Sequence, residues 1–299
     1  MKIDGRPDGQ DVVLIALQYS DMSFESIKKF QPEPGAVGMD FGWANVTLYP
    51  SAPYSIRSQS SGYVLGLAFE RQRGVHAIGG ERRQDFDAWP GELACASPEV
   101  NIFSESMQGG EYLALHVARA ASDPVADTRL AAPRVVFHGD RRAVRLGWRL
   151  RRLLLAAPAD SRLVEEQMAL FWARGLSLAQ LPARPAGRYD LERAVHARVL
   201  DYIDDGMDGP LGLDELARLA GMPPLRFLRS FVNAVGTTPH AYITERRLQR
   251  ARALLRSSAH PVAAIAADCG FAHQSHLGAA LKARLGLSPR QYRALHGRA

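Results

Sequence analysis

Bulky residues alternate with small or polar ones along Tyr63-Val64-Leu65-Gly66-Leu67-Ala68-Phe69, the period of a half-buried strand. Asn45–Tyr49, just before Pro50, and Val135–Phe137 read as further strands. Glycine and proline punctuate the same region at Gly79-Gly80, Pro90-Gly91, Pro98 and Gly109-Gly110. Short strands joined by such turns predict a sandwich or small barrel over residues 1–139. The period changes after Asp140. Arg141–Ala157 and Ser161–Gly175 carry helical spacing on either side of Pro158, and the second gathers Leu163, Val164, Met168, Leu170, Phe171 and Trp172 on one broad side. Leu181–Gly187 is proline-rich and reads as a linker. From Tyr189 onward the pattern is helical, with breaks at 204–212 and around Gly221, Gly236, Gly270 and Gly286. The expected fold class is therefore α+β, in three segments: a β-rich 1–139, a helical 140–188 and an all-α 189–299.

The last segment repeats itself. Leu213-x-x-Leu216-Ala217-x-x-x-Gly221 recurs as Val262-x-x-Ile265-Ala266-x-x-x-Gly270, an offset of 49. The offset then becomes 50, matching Phe227 to Leu277, Phe231 to Leu281, Gly236 to Gly286, Pro239 to Pro289 and Tyr242 to Tyr292. Each copy has the layout of a helix-turn-helix. A first helix buries Leu213, Leu216 and Ala217, Gly221 supplies the turn, and a second helix starts near Pro223-Pro224, where proline's missing N–H does no harm. Phe227 and Phe231, four apart, face the core together.

That burial fixes what faces outward. At about 100° per residue the open side of the first copy's second helix holds Leu225, Arg229 and Val232, with Arg226 at the flank. The second copy presents Ser275, Ala279 and Lys282, with His276 at the flank, and Gln274 also within reach of a base. Arg229 is the foremost base-reading candidate, because a guanidinium bonds guanine O6 and N7 together, a contact worth ~1–3 kcal/mol of discrimination. A helix over Ala241–Arg256 with Arg246, Arg247, Arg250, Arg252 and Arg256 joins the copies, and heads about one DNA turn apart, ~34 Å, enter successive major grooves. Charge points the same way. Residues 211–299 hold 13 Lys and Arg against 4 Asp and Glu, whereas the rest of the chain holds 24 against 27. A polyanionic partner or a merely solubilising basic surface accounts for that excess.

The run Leu213-Asp214-Glu215-Leu216-Ala217…Gly221-Met222…Phe227…Arg229…Phe231…Gly236-Thr237-Thr238-Pro239-His240-Ala241-Tyr242, with its counterpart Val262…Ile265-Ala266…Cys269-Gly270-Phe271…Leu277…Gly286-Leu287-Ser288-Pro289…Tyr292, resembles the AraC/XylS family over about a third of the chain. The resemblance implies binding to double-stranded promoter DNA and activation of transcription through RNA polymerase. The sequence departs from the family where Pro223 replaces the usual N-cap serine, where Leu277 and Leu281 replace aromatics, and where Ala279 replaces a frequent arginine. Those departures imply a second head that relies on backbone contacts, through Lys282, Arg284 and the helix N-terminus.

Gly79–Glu92 followed by Gly109-Gly110-Glu111-Tyr112-Leu113 resembles the cupin-like sensor barrels that precede such domains. A barrel of that size holds one small effector, with Trp43, Tyr54, Tyr63 and Trp89 as lining and Arg57, His76 or Arg82 to fix an acidic group; core packing is the competing reading for each. There is no His-x-His pair, and His76, His116 and His138 are scattered, so no metal or other cofactor is expected. The two cysteines, Cys95 and Cys269, lack zinc spacing and companion groups for an activated thiolate. Val144, Leu146, Trp148 and Leu150 with Leu163, Met168 and Phe171 offer apolar surface to a second copy or to the chain's own barrel. No run reaches the ~18–20 apolar residues of a membrane span, and Met1-Lys2-Ile3-Asp4-Gly5 has no apolar leader, so a soluble cytoplasmic protein is expected. The alternatives to an effector-responsive regulator are a cupin-type enzyme fused to a DNA-targeting domain and a constitutive DNA binder whose barrel only dimerises.

Overall fold

A computed structural model describes residues 16–19, 36–119, 130, 132–156, 159–180 and 192–296. The proline-rich linker at 181–187 lies outside them. The chain divides into two compact units, one of residues 1–89 and 94–135, the other of 90–93 and 136–299.

The first unit is built from strands. In chain order they are β1 (Ala16–Tyr19), β2 (Val37–Asp40), β3 (Ala44–Tyr49), β4 (Tyr54–Gln59), β5 (Tyr63–Ala68), β6 (Gln72–Ile78), β7 (Gln84–Ala88), β8 (Leu93–Ala96), β9 (Asn101–Ser106), β10 (Tyr112–Val117) and β11 (Arg134–Phe137). They form a five-stranded sheet, β1-β4-β9-β6-β7, and a six-stranded sheet, β11-β8-β5-β10-β3-β2. β1 runs parallel to β4, while β10 pairs antiparallel with both β3 and β5. That register stacks Leu115 between Val46 and Leu65, and Leu113 between Leu48 and Leu67, and all six side chains are buried. Burying each contributes roughly 1.5–3 kcal/mol. The expected strand at 63–69 is present but is covered on both faces rather than one. Gly66 and Ala68 are buried too, because the Tyr112 ring lies across Gly66 where a Cβ would stand.

The second unit carries nine helices among the described residues: α1 (Arg141–Leu155), α2 (Ser161–Ala179), α3 (Arg193–Asp205), α4 (Leu213–Leu219), α5 (Pro224–Val235), α6 (Pro239–Ser257), α7 (Val262–Asp268), α8 (Gln274–Leu285) and α9 (Pro289–His296). Asp140 starts α1 by accepting from Ala143 N at 2.7 Å, and Asp160 starts α2 by accepting from Leu163 N at 3.1 Å. Burial alone raises the Asp140 carboxyl, but the Arg174 guanidinium of α2 and the Ala143 N–H outweigh it and hold that carboxyl below the usual carboxylate range. Val164, Met168, Phe171 and Trp172 are buried, whereas Leu163 and Leu170 stay 39% and 42% exposed, so the apolar side of α2 is narrower than its sequence suggests.

The repeat is two helix-turn-helix units, α4–α5 and α7–α8. The first packs Leu216, Ala217, Phe227, Phe231 and Val235 against Val199, Leu200 and Ile203 of α3 and Tyr242 and Ile243 of α6. The second buries Ile265, Ala266, Leu277, Leu281 and Leu285. Leu213, expected in the core, is 38% exposed. It opens a seven-residue helix whose packing is centred one turn later, at Leu216 and Ala217.

Candidate nucleic-acid interface

The open side of each second helix follows from its buried side. Phe227 and Phe231 are fully buried, their rings 5.7 Å apart, which turns Leu225, Arg226 and Arg229 to solvent. Leu225 is a large apolar side chain left 59% exposed on an otherwise basic face. Such exposure suits contact with a thymine methyl or a sugar edge. Val232, expected on the same exposed face, is half-buried instead, near the end of α5. In the second copy Leu277 and Leu281 are buried and Gln274, Ser275, His276, Ala279 and Lys282 are all exposed.

The two helices begin differently. Pro223 precedes α5 and offers no side-chain cap. His273 precedes α8, and its Nδ1 accepts from His276 N at 3.1 Å. The His276 ring in turn stands edge-on to Phe271, 5.2 Å away at 86°. His273 was not among the sequence candidates. Histidine is an uncommon N-cap, and its role depends on ring orientation, which spacing does not reveal.

Helix α6 joins the copies, and the structure sorts its arginines. Arg246 pairs with Asp204 at 3.1 Å, and Arg247 Nε donates to the Met207 carbonyl at 2.8 Å. Arg252 is buried. Burial lowers the pKa of Arg247. Arg246 and Arg247 thereby tie α6 to the end of α3 and the turn that follows it. Arg250 is the arginine of α6 left exposed, with Arg256 half-exposed.

Of the residues nominated for an effector, Tyr54 and His76 come together. They lie on the β4–β9–β6 sheet, with Ser104 as the shared neighbour: it is the register partner of His76 and its hydroxyl is 3.2 Å from Tyr54 OH. Burial raises the Tyr54 pKa and lowers that of His76, and Arg134 acts electrostatically on both, a cation the sequence candidates omit. His76 stacks on Phe86 at 5.1 Å. Arg57 lies three residues from Tyr54 on the same strand, hence on the opposite face, where it covers Phe103 at 5.9 Å. Arg82 is exposed between β6 and β7, and Trp43 is half-buried ahead of β3 in the other sheet. Cys95 and Cys269 are buried, and burial pushes their thiols up to about 12 and about 11, which disfavours the reactive thiolate.

Residues 216–295 match a family model described as a helix-turn-helix domain. Among curated proteins the chain is 29% identical over 102 residues to a probable transcriptional regulator, LumQ, of Photobacterium leiognathi, covering 34% of this chain and 41% of that one. It is 30% identical over 102 residues to the XylDLEGF operon transcriptional activator 2 of Pseudomonas putida, covering 33% and 65%. Among solved structures, an AraC-type transcriptional regulator from Chromobacterium violaceum is 26% identical, covering 36% of this chain and 95% of that one with a TM-score of 0.33. The chain spans less than two thirds of the length of either curated relative.

Proposed function

We propose that this chain, whose C-terminal third is an AraC/XylS-type double helix-turn-helix domain, is a sequence-specific transcriptional activator that answers to a small effector. The observation that carries the reading is the exposed Arg226–Arg229 edge of α5, repeated in position by the Ser275–Lys282 edge of α8. Guanidinium groups at the solvent side of a helix turned by a buried Phe pair are placed for base edges, and the basic surroundings supply the phosphate attraction. In this reading Arg229 and Arg226 read bases, Leu225 and Val232 contact sugar or methyl groups, and Gln274, Ser275, His276, Ala279 and Lys282 hold the second half-site chiefly through the backbone. Segment 1–139 is a cupin-like sensor, 140–188 the connecting helices and 189–299 the DNA-binding domain.

Tyr54, His76 and Arg134 are the effector-facing group within the first unit, with Arg57 on the opposite face of the sheet. The exposed Leu163 and Leu170, seven apart on α2, support a homodimer through that helix. RNA polymerase is the partner downstream, and the buried cysteines weigh against a group-transfer enzyme. Selection of bound duplexes from a random pool, followed by anisotropy titration, tests the reading. Arg229→Ala is expected to weaken the selected site by about 1–3 kcal/mol with little change on random DNA. Equal affinity of both proteins for the selected site overturns it.

A further inference from the structure

Within the second unit, α1 and the helix-turn-helix helices border a cleft of about 340 Å³. Its walls are Arg145, Trp148, Arg149 and Arg152 of α1, Arg284 of α8, and the turn that leads into α6. Five guanidinium groups line it, counting the buried Arg151, against the single carboxylate of Glu245. That carboxylate is already engaged: Arg151 Nη1 reaches Oε1 at 2.9 Å and Arg284 Nε lies 3.6 Å from Oε2. α1 holds six arginines and no acidic residue. Among the described residues no carboxylate pairs with Arg149 or Arg152, both of which are exposed. Arg145 and Arg149 are four apart on one helix face, a like-charge spacing that is mildly unfavourable until an anion bridges it.

The opposite wall has the same sign. Thr237 lies in the turn just before α6 and Ala241 in its first turn, and the Thr238 hydroxyl caps Ala241 N at 3.3 Å, so the positive end of a 19-residue helix faces the arginines. Trp148 adds an apolar wall, its ring 5.1 Å from the Arg151 guanidinium carbon. DNA is not the natural occupant. On α8, at about 100° per residue, Arg284 points away from Ser275, Ala279 and Lys282, so the cleft lies behind the base-reading edge.

We propose that this cleft binds a small phosphorylated metabolite, its phosphates held by Arg145, Arg149, Arg152 and Arg284 and its body lying along Trp148. Guanidinium forks match phosphate oxygens two at a time, and the volume is that of a small-ligand site. A ligand held jointly by α1 and α8 favours the docked position of α1 over any other. The site is separate from the base-reading edges and stands or falls without them.

Calorimetric titration of the full chain with pyrophosphate and with adenosine diphosphate, at about 0.15 M salt, tests it. One saturable site per chain is expected, tighter for the nucleotide because of Trp148. The R149A/R152A double variant, altered only at exposed positions, is expected to bind at least about tenfold more weakly, while R229A binds as the unaltered chain does. Absence of saturable binding, equal binding by the double variant, or displacement of pyrophosphate by duplex DNA overturns the proposal. Succinate binding as tightly as pyrophosphate overturns the phosphate class.

Discussion

The two helix-turn-helix copies share a backbone plan and differ in what fills it. The first is centred on aromatics: Phe231 lies 5.7 Å from the Phe227 ring, 5.8 Å from Tyr242 and 6.1 Å from His196. The second uses Leu277 and Leu281 in the same places. The first presents arginines outward, the second serine, alanine and lysine. Both second helices end at a left-handed glycine, Gly236 at φ +81° and Gly286 at φ +75°. Yet a Cβ on Gly236 would meet Val144 of α1 at 2.8 Å, while one on Gly286 would meet nothing within 4 Å. The turn that ends the first copy is thus packed tightly against a neighbour, and the turn that ends the second is open. A duplicated unit keeps the residues its own helix crossing requires and varies those that answer to neighbours and ligand.

Replacement of the central aromatic breaks this contrast most severely. Phe231→Ala is expected to cost about 3–5 kcal/mol in urea unfolding, and Leu281→Ala about 2–5 kcal/mol and less than its counterpart, because fewer contacts are lost. An equal loss at the two positions contradicts an aromatic-centred first copy. Gly236→Ala follows. It combines roughly 1–2 kcal/mol for a left-handed alanine with about 1–3 kcal/mol of crowding against Val144. Gly286→Ala bears only the first of those terms, so a smaller drop in melting temperature is expected there than at Gly236.

On the exposed face of α8, Ala279→Arg places a guanidinium where the first copy has Arg229. A new base preference worth about 1–3 kcal/mol is expected in the second half-site, with unfolding unchanged. Selection from a random pool that returns the original site argues that α8 does not face base edges. The smallest effect concerns the helix starts. Pro223→Ser supplies the cap that α5 lacks and is expected to stabilise by about 0.5–1 kcal/mol, whereas His273→Ala removes one and is expected to cost a similar amount. Both are read by thermal unfolding.

The repeat, the turns and the outward faces of α5 and α8 were legible in the sequence because helical periodicity is local. Once Phe227 and Phe231 face inward, the position of Arg229 follows from geometry alone. The arginines of α6 were not sortable in the same way. Arg246 and Arg247 find partners 42 and 40 residues away, and no local spacing predicts that. The same limit held in the β unit. Tyr54 and Arg57 look equivalent in sequence, but register with β9 sets Tyr54 opposite Ser106 with its hydroxyl reaching Ser104, while Arg57 covers Phe103 on the other face. The cap that His273 supplies to α8 is not legible in the sequence, because capping by an imidazole depends on ring orientation.

By itself the amino-acid sequence determined that the chain has a β-rich part, a helical part and two copies of one helix-turn-helix unit. It also determined which residues of that unit point away from its core, since these depend on periods of two and 3.6 residues. Only the tertiary structure decided that Val144 of α1 closes on Gly236. It alone decided that Glu245 is shared between Arg151 and Arg284, and that the arginines of α1 face a cleft bordered by α6 and α8. Those arrangements join side chains from segments about 40 to 140 residues apart in the sequence. Long-range packing brings them together, and no pattern within either segment records where the other lies.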